Sequence, residues 1–132
     1  MKVDLRVILP NRPGALLEAL DAVADAGLTV DAVCGDIRPG ERWGYLHVLV
    51  DDGDATRAAL EGVGFEISAA HEVEVFRIER GPGSLASAVR RYKEKGENIE
   101  VFYLTTGGDV VVGTERMRKP IVGVRMGDTK YR

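Results

Sequence analysis

Cysteine is almost absent from this 132-residue chain. Cys34 stands alone, so no disulfide can close within the chain and a thiolate-based zinc site has too few ligands. Histidine occurs only at His47 and His71, on different predicted strands and outside any His-x-x-x-His spacing. The commonest metal and acid–base patterns are thereby removed, and both histidines are expected in structural or surface roles. No apolar run approaches the roughly 20 residues of a membrane span, and Met1-Lys2-Val3-Asp4 leads into a strand pattern without a signal-peptide core. The expected compartment is the cytoplasm, with no membrane partner. The glycine-rich Gly107-Gly108-Asp109 and Gly113-Thr114 lack the spaced glycines, lysine and Ser/Thr of a phosphate loop, and a hairpin accounts for the first. Acidic residues are plentiful, yet nothing in the sequence brings two into a buried pair. These absences point away from an enzyme: no catalytic residue, metal or cofactor is expected.

The chain does have the composition of a globular protein, with 45% hydrophobic and 30% charged residues. Its net charge of −3 conceals an asymmetry, because from Arg116 onward six basic residues (Arg116, Arg118, Lys119, Arg125, Lys130, Arg132) face Asp128 alone. Such an end either pairs with the acidic body or meets an anionic partner. No helix-turn-helix or RNA-binding aromatic motif accompanies it, so nucleic acid is not the expected partner.

The strongest signal is internal repetition. Asn11-Arg12-Pro13-Gly14-Ala15-Leu16 returns 69 residues later as Arg80-Gly81-Pro82-Gly83-Ser84-Leu85. At the same offset Val7 matches Phe76, Leu9 matches Ile78, Leu20 matches Val89, Gly27 matches Gly96, Val30 matches Ile99, Asp31 matches Glu100 and Val33 matches Phe102. The recurring unit is strand, Pro-Gly turn, helix, glycine stop, strand. Two units of this size have marginal cores alone and should depend on each other.

Alternation in Val3 to Leu9 predicts a strand half-buried on one face, and Leu16, Leu20 and Val23 predict a helix over about 14–26 that Gly27 stops. Leu28 to Asp36 and Trp43 to Val50 predict a hairpin through Arg38-Pro39-Gly40-Glu41. Neither face of Trp43–Val50 is plainly polar, which predicts a sheet covered on both sides. Asp51-Asp52-Gly53-Asp54 caps a short helix that Gly64 ends, and Phe65 to Ala70 closes the unit. The order β-α-β-β-α-β is the ferredoxin-like arrangement, with both helices on one face of an antiparallel sheet. The second copy repeats it through Gly113, after which Pro120 and the short remainder leave no room for a full helix. A short turn and a closing strand at Ile121–Arg125 are expected instead. The fold class is thus α+β, two ferredoxin-like modules in tandem over 1–71 and 72–132, the second truncated.

The doubled hexapeptide inside this order resembles the ACT domain family of small-molecule sensors, over Val3 to about Thr114. The resemblance implies an allosteric regulatory protein that binds an amino acid where the strand-to-helix turn of one module faces the second strand of a neighbour. By position, Asn11, Gly14, Ala15 and Leu16 would line one site and Gly83, Ser84 and Leu85 the other, with Asp31 and Val33 or Glu100 and Phe102 opposite. Physically, glycine admits close backbone approach, and the amides that open a helix suit a carboxylate. Alternatively the Pro-Gly pair only shapes the turn, Asn11 caps the helix, and Asp31 and Glu100 are solvated. A homodimer is expected, and the resemblance implies a metabolic enzyme as a further partner. The rival readings are a ferredoxin-like enzyme, which needs a titratable cluster not found in the sequence, and a nucleic-acid-binding protein, for which Phe102 and Tyr103 beside the basic tail are the support.

Overall fold

The alternation that begins at Val3 produces β1 (Val3–Pro10), and the periodic apolar residues after the first Pro-Gly turn produce α1 (Ala15–Asp25). A computed structural model describes residues 1–121 of the chain. β2 (Ala32–Asp36) and β3 (Trp43–Val50) form the expected hairpin, followed by α2 (Gly53–Gly62) and β4 (Glu66–Glu72). In the second copy β5 (Glu74–Arg77), α3 (Ser84–Glu94), β6 (Ile99–Leu104) and β7 (Asp109–Thr114) keep the same order. β2 starts later than the periodicity predicts because the end of α1 uses the intervening backbone: Leu28 N–H donates to Val23 at 3.1 Å. Phe65 to Leu60 and Glu97 to Tyr92 close α2 and α3 with the same six-residue bond. Asp52, one of the three acidic residues in the predicted cap segment, is the cap of α2, its carboxylate accepting from Ala55 N–H at 3.0 Å.

One sheet runs β2-β3-β1-β4 and the other β5-β7-β6, all antiparallel. Each is the ferredoxin-like order, the second sheet having three strands among the described residues. After β7 the chain makes a single 3-10 turn at Glu115–Met117 and then β8 (Arg118–Lys119), which pairs with β4 of the first sheet through Ala70↔Lys119 and His71↔Arg118. The expected closing strand at 121–125 lies, beyond Ile121, outside the described residues. Ile121 itself packs against the core of the first module.

That core holds Val7, Leu9, Ala15, Ala19, Leu46, Val48, Leu60, Phe65 and Ile67 between the first sheet and its two helices. The prediction that β1 is buried on one face only is corrected: Asp4 and Ile8, on its other face, are buried as well. The reason is stacking of the two sheets, with Leu49, Val73 and Val111 forming a shared cluster that Ala32 and Tyr103 flank. The same packing covers the second face of β3 at Leu49, whereas Tyr45 and His47 are half-buried and Trp43 is exposed, so the two-sided coverage expected from its pattern is met only in part. No helix among the described residues is long and apolar enough to cross a membrane.

Candidate functional site

Both strand-to-helix turns have one geometry. Gly14 and Gly83 occupy the N-cap positions with φ of +87° and +78°, in the left-handed region, and neither helix start carries a side-chain cap. A Cβ at either would meet nothing within 4 Å, so glycine is required there by backbone conformation rather than by crowding. Each helix start carries the partial positive charge of a helix N-terminus, although its first amide, at Ala15 or Ser84, already donates back to Arg12 or Gly81 at 3.3 or 3.2 Å. Asn11 does not cap α1. Its side-chain amide donates to the Glu41 carbonyl at 2.7 Å, and at the matching position Arg80 donates to the Thr106 carbonyl at 2.8 Å. In each module this residue ties the turn to the hairpin of its own sheet.

The two turns differ in what stands before them. In the first, Arg12 and Glu18 form a two-pronged ion pair (2.5 and 3.2 Å), which holds the Glu18 carboxyl below its ordinary range and places a carboxylate of the chain itself on the first turn of α1. The matching positions in the second copy are Gly81 and Ser87. Beside Gly83 an open cleft of about 500 Å3 is lined by Phe76, Ile78, Glu79, Pro82, Gly83, Ser84, Ser87 and Ala88. The corresponding wall of the first module, Val7, Leu9, Ala15 and Ala19, is buried in one core with Leu60 and Phe65. The cleft is the space that a second helix and a closing strand fill in the complete copy.

The remaining predicted residues are spread out. Ala15 is buried in the core, whereas Leu16 and Leu85 are exposed on the helices. Val33 and Phe102 are exposed on β2 and β6, both edge strands. Asp31 pairs with Lys2 at 2.6 Å, an ammonium that also reaches Asp51. Glu100 is turned between the sheets, where it accepts from Arg118 through both carboxylate oxygens and contacts His71 Nε2 at 2.8 Å. Arg118 above all, with His71 adding to it, holds the Glu100 carboxyl below its usual range.

The interface also encloses a second polar group that the linear sequence did not reveal. Asp4, with no exposed surface, contacts His47 Nδ1 at 2.9 Å and accepts from the Tyr103 hydroxyl at 2.8 Å. Burial, and then the nearby Asp4 charge, push the Tyr103 hydroxyl far above its ordinary pKa. The only signal was a carboxylate, Asp4, within a strand that is apolar apart from it and Arg6. Of the six basic residues expected either to pair with the body or to bind an anionic partner, the three described ones pair with it, Arg116 with Glu97 at 2.5 Å, Arg118 with Glu100, and Lys119 with Glu72 at 3.8 Å, while Arg125, Lys130 and Arg132 lie outside the described residues.

No protein-family model matches the chain, and no curated protein matches it. Solved structures do. Protein BT0572 from Bacteroides thetaiotaomicron superposes with a TM-score of 0.71 at 24% identity over 86% of this chain and 78% of that one. The ligand-free regulatory subunit of aspartate kinase from Thermus thermophilus gives 0.64 at 22% identity, covering 86% and 82%. The corresponding subunit from Thermus flavus gives 0.66 at 21%, with the same coverage. At these identities the likeness is one of fold, and the fold is α+β, ferredoxin-like and ACT-type.

Proposed function

We propose that this chain is a non-catalytic regulatory protein that binds a small molecule, an amino acid, at the turn opening α3, and passes its occupancy to a partner enzyme or to its own assembly. The observation that carries this reading is the cleft beside Gly83, whose chemistry suits a zwitterion. The Gly83 amide and the hydroxyls of Ser84 and Ser87 suit a carboxylate, whereas the Ser84 N–H already donates to the Gly81 carbonyl at 3.2 Å. Glu79 suits an ammonium, and Phe76, Ile78 and Ala88 give an apolar wall. The cleft lies within the size range of small-molecule sites. The turn at Gly14 is the weaker site, because Glu18 already supplies a carboxylate to its helix start. Asp31, Val33, Glu100 and Phe102 play no part in the cleft; Val33 and Phe102, exposed on edge strands, suit self-association, which sedimentation at micromolar concentration tests.

Two of the structural neighbours are themselves regulatory subunits, which agrees with a role in regulation rather than chemistry. The test is a thermal-shift screen of the apo protein against the amino acids. A ligand present at a hundred times its Kd stabilises by about 2.7 kcal/mol, several degrees for a chain of this size. Gly83→Val, which forces a β-branched residue into a left-handed position at the cleft mouth, is expected to abolish the shift in a folded protein. The reading fails if no amino acid moves the midpoint, or if every amino acid that does so moves the variant equally.

A further inference from the structure

The face of the first sheet opposite its helices is only partly covered by the second sheet. Beyond Leu49 a groove of about 410 Å3 remains, floored by Arg6, Cys34, Tyr45 and His47 and rimmed by Asp36, Arg38, Glu41 and Trp43. The register puts these side chains together: Arg6 lies opposite His47, Cys34 opposite His47 and Asp36 opposite Tyr45. Neither helix turn contributes to the groove, so its ligand chemistry is independent of the cleft at α3.

We infer that this groove is a binding site for a small aromatic carboxylate bearing a hydrogen-bond donor. The floor supplies the anion site. The Arg6 guanidinium lies 3.5 Å above the Tyr45 ring, which orients its plane and leaves its N–H groups at the edge for a carboxylate. Next to it, His47 is held by its Nδ1 on Asp4, and Asp4 in turn by Tyr103, so the ring is fixed in place and Nε2 is the nitrogen that Asp4 does not use. Such buried support gives the preorganisation that a site requires. The aromatic part of the ligand is argued from Trp43 and from the stacked Arg6–Tyr45 pair, flat surfaces at one end of the same groove. The donor is argued from charge: Asp36 and Glu41 form no ion pair among the described residues and bring two carboxylates to a rim whose floor is cationic.

The molecule carries its own reporters, since Trp43 is the only tryptophan and the exposed Cys34 the only cysteine, both within the groove. The full chain is titrated with L-phenylalanine, 3-phenylpropionate and phenethylamine while Trp43 emission is followed, and alkylation of Cys34 by a maleimide is timed in parallel. Phenylalanine is expected to change the emission saturably and to slow alkylation with one midpoint, phenylpropionate to do both at a higher concentration because it brings no donor to Asp36 and Glu41, and phenethylamine to do neither. Loss of a charge-assisted pair in Arg6→Gln is expected to raise the midpoint about tenfold or more, and Arg38→Ala, at an exposed rim position, to raise it less. Gly83→Val is expected to leave it unchanged, which separates this site from the cleft at α3. Three results overturn the proposal: no saturable response up to about 10 mM, a range that reaches affinities near −3 kcal/mol; emission changes without protection of Cys34; or equal midpoints in wild type and both arginine variants.

Discussion

Tyr103→Phe removes a single hydroxyl, 99 residues along the chain from the carboxylate it serves. Asp4 has no exposed surface, so without that donor Oδ1 is left with no partner from Tyr103 and no access to water. An unsatisfied buried acceptor costs about 1–3 kcal/mol, and more when charged. Against this stands the easier burial of phenylalanine, because Tyr103 is itself strongly desolvated. The ring stays in place beside Leu49, Val73 and Val111, so no cavity is made. The net loss is expected at about 2 kcal/mol, or a fall of about 6 °C in Tm for a chain between the small and mid-sized classes. Urea denaturation at pH 7 is the assay, with an unchanged m-value showing that the same surface unfolds. Asp4→Asn and the double variant complete a cycle, with a coupling of about 1 kcal/mol or more expected. A loss below about 0.5 kcal/mol, or additive single effects, would refute the claim that this bond joins the two sheets.

Glu100→Gln is expected to destabilise more at pH 7 than at pH 3: Arg118 above all, with His71, depresses the folded carboxyl below 4.5, so its contribution is complete above that value and declines as pH falls toward and through the folded pKa. Parallel melts of both proteins at the two pH values check the sign. Gly44→Ala is expected to prevent folding or to cost more than 3 kcal/mol, by about the scale of overpacking plus backbone displacement, since its Cβ would collide with the Asp36 carbonyl and Ile37. Gly14→Ala, with open space around the new Cβ, is expected to cost only the left-handed strain of about 1–2 kcal/mol; circular dichroism and urea melts compare the two. A fluorescent duplex titrated at low salt is expected not to bind, because Arg116, Arg118 and Lys119 are already paired with carboxylates; tight binding that weakens with a log-log slope near −0.9 per contact would contradict this.

Most of the element order was legible in the sequence because its causes are local. Helical spacing of Leu16, Leu20 and Val23, strand alternation from Val3, and the glycines at 14, 27, 83 and 96 act within a few residues of one another, and the 69-residue repeat supported β1, α1 and the following hairpin with their counterparts in the other copy. The stacking of the sheets was legible only as a general need to cover β3. Which groups meet there was not: Asp31 and Glu100 are equivalent in the repeat, yet one lies beside Lys2 and the other between Arg118 and His71. The return of β8 to β4, the burial of Asp4 against Tyr103, and the groove left on the partly covered face of the first sheet all depend on how one sheet is laid across the other. Sequence periodicity determines which face of a strand is apolar, a property of neighbours on one chain segment. Which polar groups are enclosed when two such faces meet is decided by long-range packing, and no local pattern records it.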